Sequence, residues 1–91
     1  MLLTEIRRFR QDIRITDHSW ADRLKKFHEE QAERADAEIS GTWQDKVDEN
    51  ADCAIVALEM AVKAMDRIQE LGANPTAAIL TKMDAARAKH G

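Results

Sequence analysis

The sequence predicts an all-α fold: a four-helix antiparallel bundle-type protomer that forms a single domain over residues 1–91. Glycine and proline, which interrupt helices, occur only between or after the periodic apolar segments. β-branched and aromatic residues are sparse and never alternate with a period of two, so strands are not expected. A chain this short buries only about 60–65% of the surface that its unfolded form exposes, so oligomerisation through helix packing is expected to enlarge its core.

The first helix is predicted from about Leu2 to Arg14, because Ile6, Phe9 and other apolar residues recur along one stripe. Residues 15–18 are predicted to interrupt the chain before the next helix. Four arginines make this first helix basic. Such a pattern is typical of a solvated face, and a contact with phosphate is the functional alternative.

The second helix is predicted to begin after Ser19, where Ser19 and Asp22 have the spacing of a capping box. It runs to about Ser40 and ends at Gly41. A glycine directly after a helix commonly adopts the left-handed conformation, and this conformation is predicted for Gly41.

The third helix is predicted to begin after Thr42, whose hydroxyl can accept hydrogen bonds from the free N–H groups of the first turn. The negative charge of Asp45 in that turn interacts favourably with the positive end of the helix dipole. The helix runs to about Leu71 and stops at Gly72. Because it is apolar nearly all round over residues 51–65, it is predicted to be a buried central helix.

The fourth helix is predicted to begin at Asn74 and Pro75 and to end near His90. Asparagine is a frequent capping residue, and proline fits the first helical position because its missing N–H has no partner there.

Charge is distributed unevenly along the chain. The formal net charge is −3, but residues 29–59 contain ten acids against two bases. An acidic centre repels nucleic-acid phosphates unless cations intervene, so a nucleic-acid partner is not favoured. The same centre attracts divalent cations.

The composition also predicts a cytoplasmic protein without a membrane segment. The single cysteine, Cys53, cannot form an internal disulfide, which fits a reducing compartment. No apolar run approaches the roughly 18–20 residues of a membrane span. The first residues lack the long apolar stretch of a signal peptide.

Two acidic motifs stand on the second and third predicted helices. The first is Glu29-Glu30-x-x-Glu33 and the second is Glu49-x-x-Asp52. Residues three apart share a helix face. Glu33 and Glu49 lie at equal distances along the chain from the predicted turn, so an antiparallel hairpin would bring the two pairs to similar heights.

Four converging carboxylates repel one another and stay ionised together only around a cation. A set of oxygen ligands favours Mg²⁺ or Mn²⁺ over Zn²⁺. Mg²⁺ leaves positions open for water and phosphate oxygens, which suits polyphosphate chemistry. The alternative is a solvated acidic face, because pairs with the same spacing also occur at Glu33/Asp36 and Asp45/Asp48.

These motifs resemble the paired signature of the MazG-like, all-α nucleoside triphosphate pyrophosphohydrolases. The gap of fifteen residues between Glu33 and Glu49 is within the range of spacings in that family. Four further segments add to the resemblance: the apolar run Cys53–Leu58, the turn Leu71–Pro75, the segment Ala78–Met83, and the opening Glu5–Arg10, which is similar to the first helix of phage-associated relatives.

The resemblance implies hydrolysis of an NTP or dNTP between its α and β phosphates, giving a monophosphate and pyrophosphate. It implies Mg²⁺, or Mn²⁺, and a homodimer or homotetramer with sites near subunit interfaces. It also implies roles for six side chains: Glu30, Glu33, Glu49 and Asp52 as metal ligands, Glu29 with Glu30 in catalysis by orienting water, and Lys82 as a phosphate contact.

Three residues depart from the family pattern. Arg34 stands where an apolar residue is usual, Ala86 replaces a common Asn, and Lys89 replaces an Arg. Two further functions therefore stay open: a non-catalytic helical interaction protein, in a phage-associated or regulatory setting, and a nucleotide-binding relative without turnover.

Overall fold

The computed structural model describes residues 1–12 and 19–91, which form four α-helices and no strand. The predicted all-α class is therefore confirmed for these residues. None of their helices is both long and apolar enough to traverse a bilayer. The predicted end of the first helix at Arg14 and the interruption at 15–18 lie outside the described residues. The helices are α1 (Leu2–Asp12), α2 (Trp20–Ser40), α3 (Trp43–Glu70) and α4 (Pro75–His90).

Capping boxes fix the starts of α2 and α3: the one at Ser19 and Asp22 was predicted, whereas at Thr42 only capping by the hydroxyl was predicted. The Ser19 hydroxyl accepts a hydrogen bond from the Asp22 N–H at 3.1 Å, and the Asp22 carboxylate accepts one from the Ser19 N–H at 3.2 Å. Thr42 and Asp45 repeat the arrangement at 3.1 and 2.9 Å. These bonds satisfy N–H groups that have no partner within the helix.

The end of α2 differs from its prediction, whereas the end of α3 agrees with its prediction to within one residue. Gly41 is extended (φ −81°) rather than left-handed, and its N–H donates to the Ala37 carbonyl at 2.8 Å. A side chain there would meet that carbonyl oxygen at 2.6 Å, so close approach rather than backbone freedom explains the glycine. The third helix ends at Glu70, and Gly72 takes the left-handed conformation (φ +86°).

An antiparallel hairpin of α2 and α3 forms the framework of the protein. Ion pairing joins Arg23 near the start of α2 to Glu59 in the second half of α3 at 3.3 Å. At the other end, the Asn50 side-chain amide donates to Glu38 at 3.1 Å. Helices α1 and α4 both pack on α3, and α4 does so near the C-terminal end of α3.

The core is small and lies on one side of α3. Its buried apolar side chains are Ile6, Ala37, Val56 and Val62. The prediction that residues 51–65 are buried all round is wrong for the single chain, because Ala51 and Ala54 are exposed. In one chain, α1 and α2 cover only part of the circumference of α3, and α4 has no buried residue.

Candidate metal centre

The α2–α3 hairpin brings carboxylates from the two acidic motifs together. Glu30, Glu49 and Asp52 each place one oxygen so that all three oxygens lie within 4.8 Å of one another. The Glu30 side chain is buried, Glu49 is half-buried and Asp52 is exposed. The group therefore extends from the helix–helix interface to the protein surface, where a ligand can reach it.

Two of these carboxylates have oxygens that nothing in the described chain satisfies. Glu30 Oε2 and Glu49 Oε2 are both enclosed and accept no hydrogen bond. A buried charged oxygen without a partner is costly, and the cost is removed by a proton or by a cation. These oxygens fit a hard divalent cation, which binds carboxylate oxygens directly.

Electrostatic repulsion within the group acts most clearly on Glu49. Burial raises the pKa of the Glu49 carboxyl, and the negative charges of Glu33, Asp52 and Glu30 raise it further. The proximity of the Glu33 carboxyl contributes in the same direction. A cation bound among these carboxylates would relieve this repulsion, because its positive charge offsets theirs.

Glu33 lies beside the group rather than inside it. It is exposed and is not one of the three residues whose oxygens converge, although it interacts with Glu49. Glu33 and Glu49 also line a shallow cleft of about 360 Å³ together with Asp36 and Asp45. Of the four predicted ligands, the structure thus brings three together and places the fourth next to them.

A cleft of about 420 Å³ opens beside the converging carboxylates. Lys26 lies at this cleft, and its Nζ is 2.8 Å from Glu30 Oε1. This hydrogen bond raises the pKa of the lysine ammonium, and the charge of Glu30 adds to the effect. The cleft is lined by Phe9, Arg23, Lys26, Glu30, Asp52, Ile55, Val56 and Glu59. Basic and acidic side chains therefore meet in one concave site with an apolar wall.

The Arg23–Glu59 pair closes the inner end of this cleft. Both side chains are largely buried, with 11% and 3% of their surface exposed. The pair holds α2 to α3 two helical turns away from Glu30 and thereby helps to fix the relative height of the two acidic motifs.

The remaining predicted site residues lie at different places. Glu29 is exposed on α2, and its charge contributes to the raised pKa of Lys26. Lys82 lines a separate cleft of about 550 Å³ with Ile68 and Met83, so a single chain does not bring it to the carboxylates. Arg34 forms no ion pair with any residue that the structure describes.

The sequence analysis did not identify Lys26 and Arg23, the basic residues of the cleft, although their spacing in the sequence indicates their pairing. Lys26 and Glu30 have the i,i+4 spacing of neighbours on one helix face. Arg23 and Glu59 lie at equal distances along the chain from Gly41, as Glu33 and Glu49 do, so the same hairpin register pairs them. The position of Phe9 depends on how α1 crosses α3, for which no local signal exists.

Comparisons of the chain with models of protein families, with curated proteins and with solved structures find no match. Membership of the MazG-like family therefore stays a prediction, and the functional argument depends on the geometry of the site.

Proposed function

We propose that the protein is a Mg²⁺-dependent nucleoside triphosphate pyrophosphohydrolase, which converts an NTP or dNTP to the monophosphate and pyrophosphate. One observation carries the proposal: carboxylate oxygens of Glu30, Glu49 and Asp52 converge from two helices, and Glu30 and Glu49 each have an oxygen that is enclosed without a donor among the described residues. A solvated acidic face would not enclose such oxygens. The resemblance to MazG-like enzymes supplies the reaction.

Glu30, Glu49 and Asp52 would hold Mg²⁺ or Mn²⁺, and Glu33 would join them through its position beside Glu49. A bound cation would neutralise phosphate charge and would lower the pKa of the water molecule that it binds. Glu29, which precedes Glu30 on α2 and is exposed, would orient the attacking water.

Substrate phosphates would lie in the cleft of about 420 Å³. Lys26 is the cation best placed to contact them, because its side chain is 45% exposed while its ammonium contacts Glu30. With a cation held by Glu30, the Lys26 ammonium would pair with a phosphate oxygen instead. Phe9 offers an apolar surface for the nucleoside.

The proposal includes a homodimer or homotetramer. Helix α4 has no buried residue, and its apolar side chains Ile79 and Met83 line a groove with Ile68. A second copy packed there would cover this surface, and Lys82 on the same helix would then approach another protomer. Ile79→Glu is expected to lower the mass measured by light scattering to that of one chain, whereas Lys25→Glu on exposed α2 leaves it unchanged.

Pyrophosphate release tests the proposed activity. The protein is incubated with each NTP and dNTP in Mg²⁺, and released pyrophosphate is measured by a coupled assay. We expect release from at least one nucleotide, and loss of release when EDTA removes the metal. Nucleotide binding without release from any of the eight common nucleotides would support the alternative of a binding protein without turnover.

A further inference from the structure

Arg10 is a buried cation without a counter-ion among the described residues. Only 5% of its surface is exposed, and its Nε is fully enclosed without a hydrogen-bond acceptor. Arg10 forms no ion pair or hydrogen bond through its guanidinium with any residue that the structure describes. An arginine stays charged at all physiological pH values, so it cannot lower the cost of burial by losing a proton.

The carboxylates that pair across helices near α1 are already engaged by other arginines. Asp66 binds Arg7 at 2.9 Å, and Glu59 binds Arg23 at 3.3 Å. The charges of Arg7 and Asp66 cancel, which leaves the charge of Arg10 uncompensated at this surface. Burial of an unpaired charge is among the most costly arrangements in a protein, and residues 1–12 and 19–91 provide no partner for this guanidinium.

Arg10 lines a cavity of about 180 Å³ between α1 and α3, together with Arg7, Gln11 and Asp66. This volume is below the roughly 300–1,000 Å³ of sites for drug-sized ligands, so a nucleoside does not fit. It suits a small oxyanion, for which the planar guanidinium offers two parallel N–H donors. The Gln11 side-chain amide adds a further donor at the rim.

We propose that the Arg10 cavity binds a small tetrahedral oxyanion of the phosphate class, at a site separate from the carboxylate cleft. Phe9 lines that cleft and Arg10 lines the cavity. Consecutive residues of a helix point about 100° apart, so the two sites lie on different faces of α1. The ligand is either free inorganic phosphate or the terminal phosphate of a larger molecule whose remainder stays outside the cavity.

Inorganic phosphate is the probe, and the thermal midpoint of the full chain is the first readout. EDTA excludes metal, and sodium chloride keeps the ionic strength constant. Phosphate is expected to raise the midpoint of the wild type and of Arg8→Met, a control on the exposed side of the same helix. Arg10→Met is expected to lose the rise. An equal rise in Arg10→Met, or no rise in the wild type at 20 mM phosphate, would overturn the proposal.

Gln11→Glu tests the site without altering the buried residue. Gln11 is exposed, so this variant is expected to fold, and its added negative charge should weaken phosphate binding at least tenfold in a ³¹P NMR titration. Less than a twofold change would count against the site. A competition experiment with a nucleoside monophosphate then distinguishes the two sources of phosphate. Competition as strong as that of inorganic phosphate would show that the site accepts a terminal phosphate of a larger molecule. Much weaker competition would restrict the site to the free ion; both results require that phosphate binds.

Discussion

Glu49→Gln is expected to abolish Mg²⁺-dependent pyrophosphate release, with a loss of at least about 100-fold, since even residues that only support metal ligands cost 10–100-fold when they are changed. The neutral amide keeps the size of the side chain but removes the charge that would bind the cation. The same change should abolish thermal stabilisation by Mg²⁺. In the wild type, Mg²⁺ at about one hundred times its Kd adds about 2.7 kcal/mol to the free energy of unfolding.

Without metal, the same variant is expected to be more stable than the wild type at neutral pH. The raised pKa of Glu49 means that the folded protein holds this proton more tightly than the unfolded chain. The folded state therefore loses stability as the pH rises from the ordinary value of 4.5 through the raised pKa. Glutamine does not ionise, so this loss should be smaller in Glu49→Gln when unfolding in urea is measured from pH 4 to 8 with EDTA.

Asp48→Asn is the matched control for both effects. Asp48 is the preceding residue on α3, but it is exposed and accepts a hydrogen bond only from the Gln44 side chain at 2.8 Å. The control should retain turnover and Mg²⁺ stabilisation. If Glu49→Gln retains both as well, Glu49 is not a ligand.

Arg23→Met is expected to destabilise the protein by about 3–5 kcal/mol, because it leaves the buried Glu59 carboxylate without its cation. This loss is a large part of the roughly 5–15 kcal/mol that stabilises a typical domain. The double variant Arg23→Met/Glu59→Met should recover most of the stability, since a pair of apolar side chains can replace a buried ion pair at little cost. Urea unfolding of the three proteins measures both changes.

An exposed ion pair provides the comparison. Arg87 binds Asp84 at 2.7 Å, and both side chains are about two-thirds exposed. Arg87→Met is expected to change the free energy of unfolding by only about 0–1 kcal/mol. A comparable loss in Arg87→Met and Arg23→Met would mean that burial does not determine the contribution of the Arg23–Glu59 pair.

The sequence predicts the hairpin and most of its site because these depend on local rules. Capping boxes define where α2 and α3 begin, and the turn at Gly41 then fixes which residues face each other across the hairpin. Glu33 meets Glu49 because the two are equally far from that turn. The same register pairs Arg23 with Glu59, although only the clustered acidic residues form a recognisable sequence motif.

Features that depend on packing between distant elements are not predictable in this way. The apolar residues all round α3 predict that this helix is buried, but they do not determine whether helices of the same chain or of another copy bury it. In one chain Ala51 and Ala54 are exposed. Likewise, the arginines of α1 suggest a solvated face, whereas Arg10 is buried in the structure.

The central claim is that carboxylates of the α2–α3 hairpin surround a hard divalent cation. The most direct measurement is an anomalous difference map from crystals grown with Mn²⁺, which scatters anomalously and replaces Mg²⁺ at oxygen sites. We predict a peak within bonding distance of Glu30, Glu49 and Asp52. A well-ordered map at saturating Mn²⁺ without a peak at these three side chains would contradict the account.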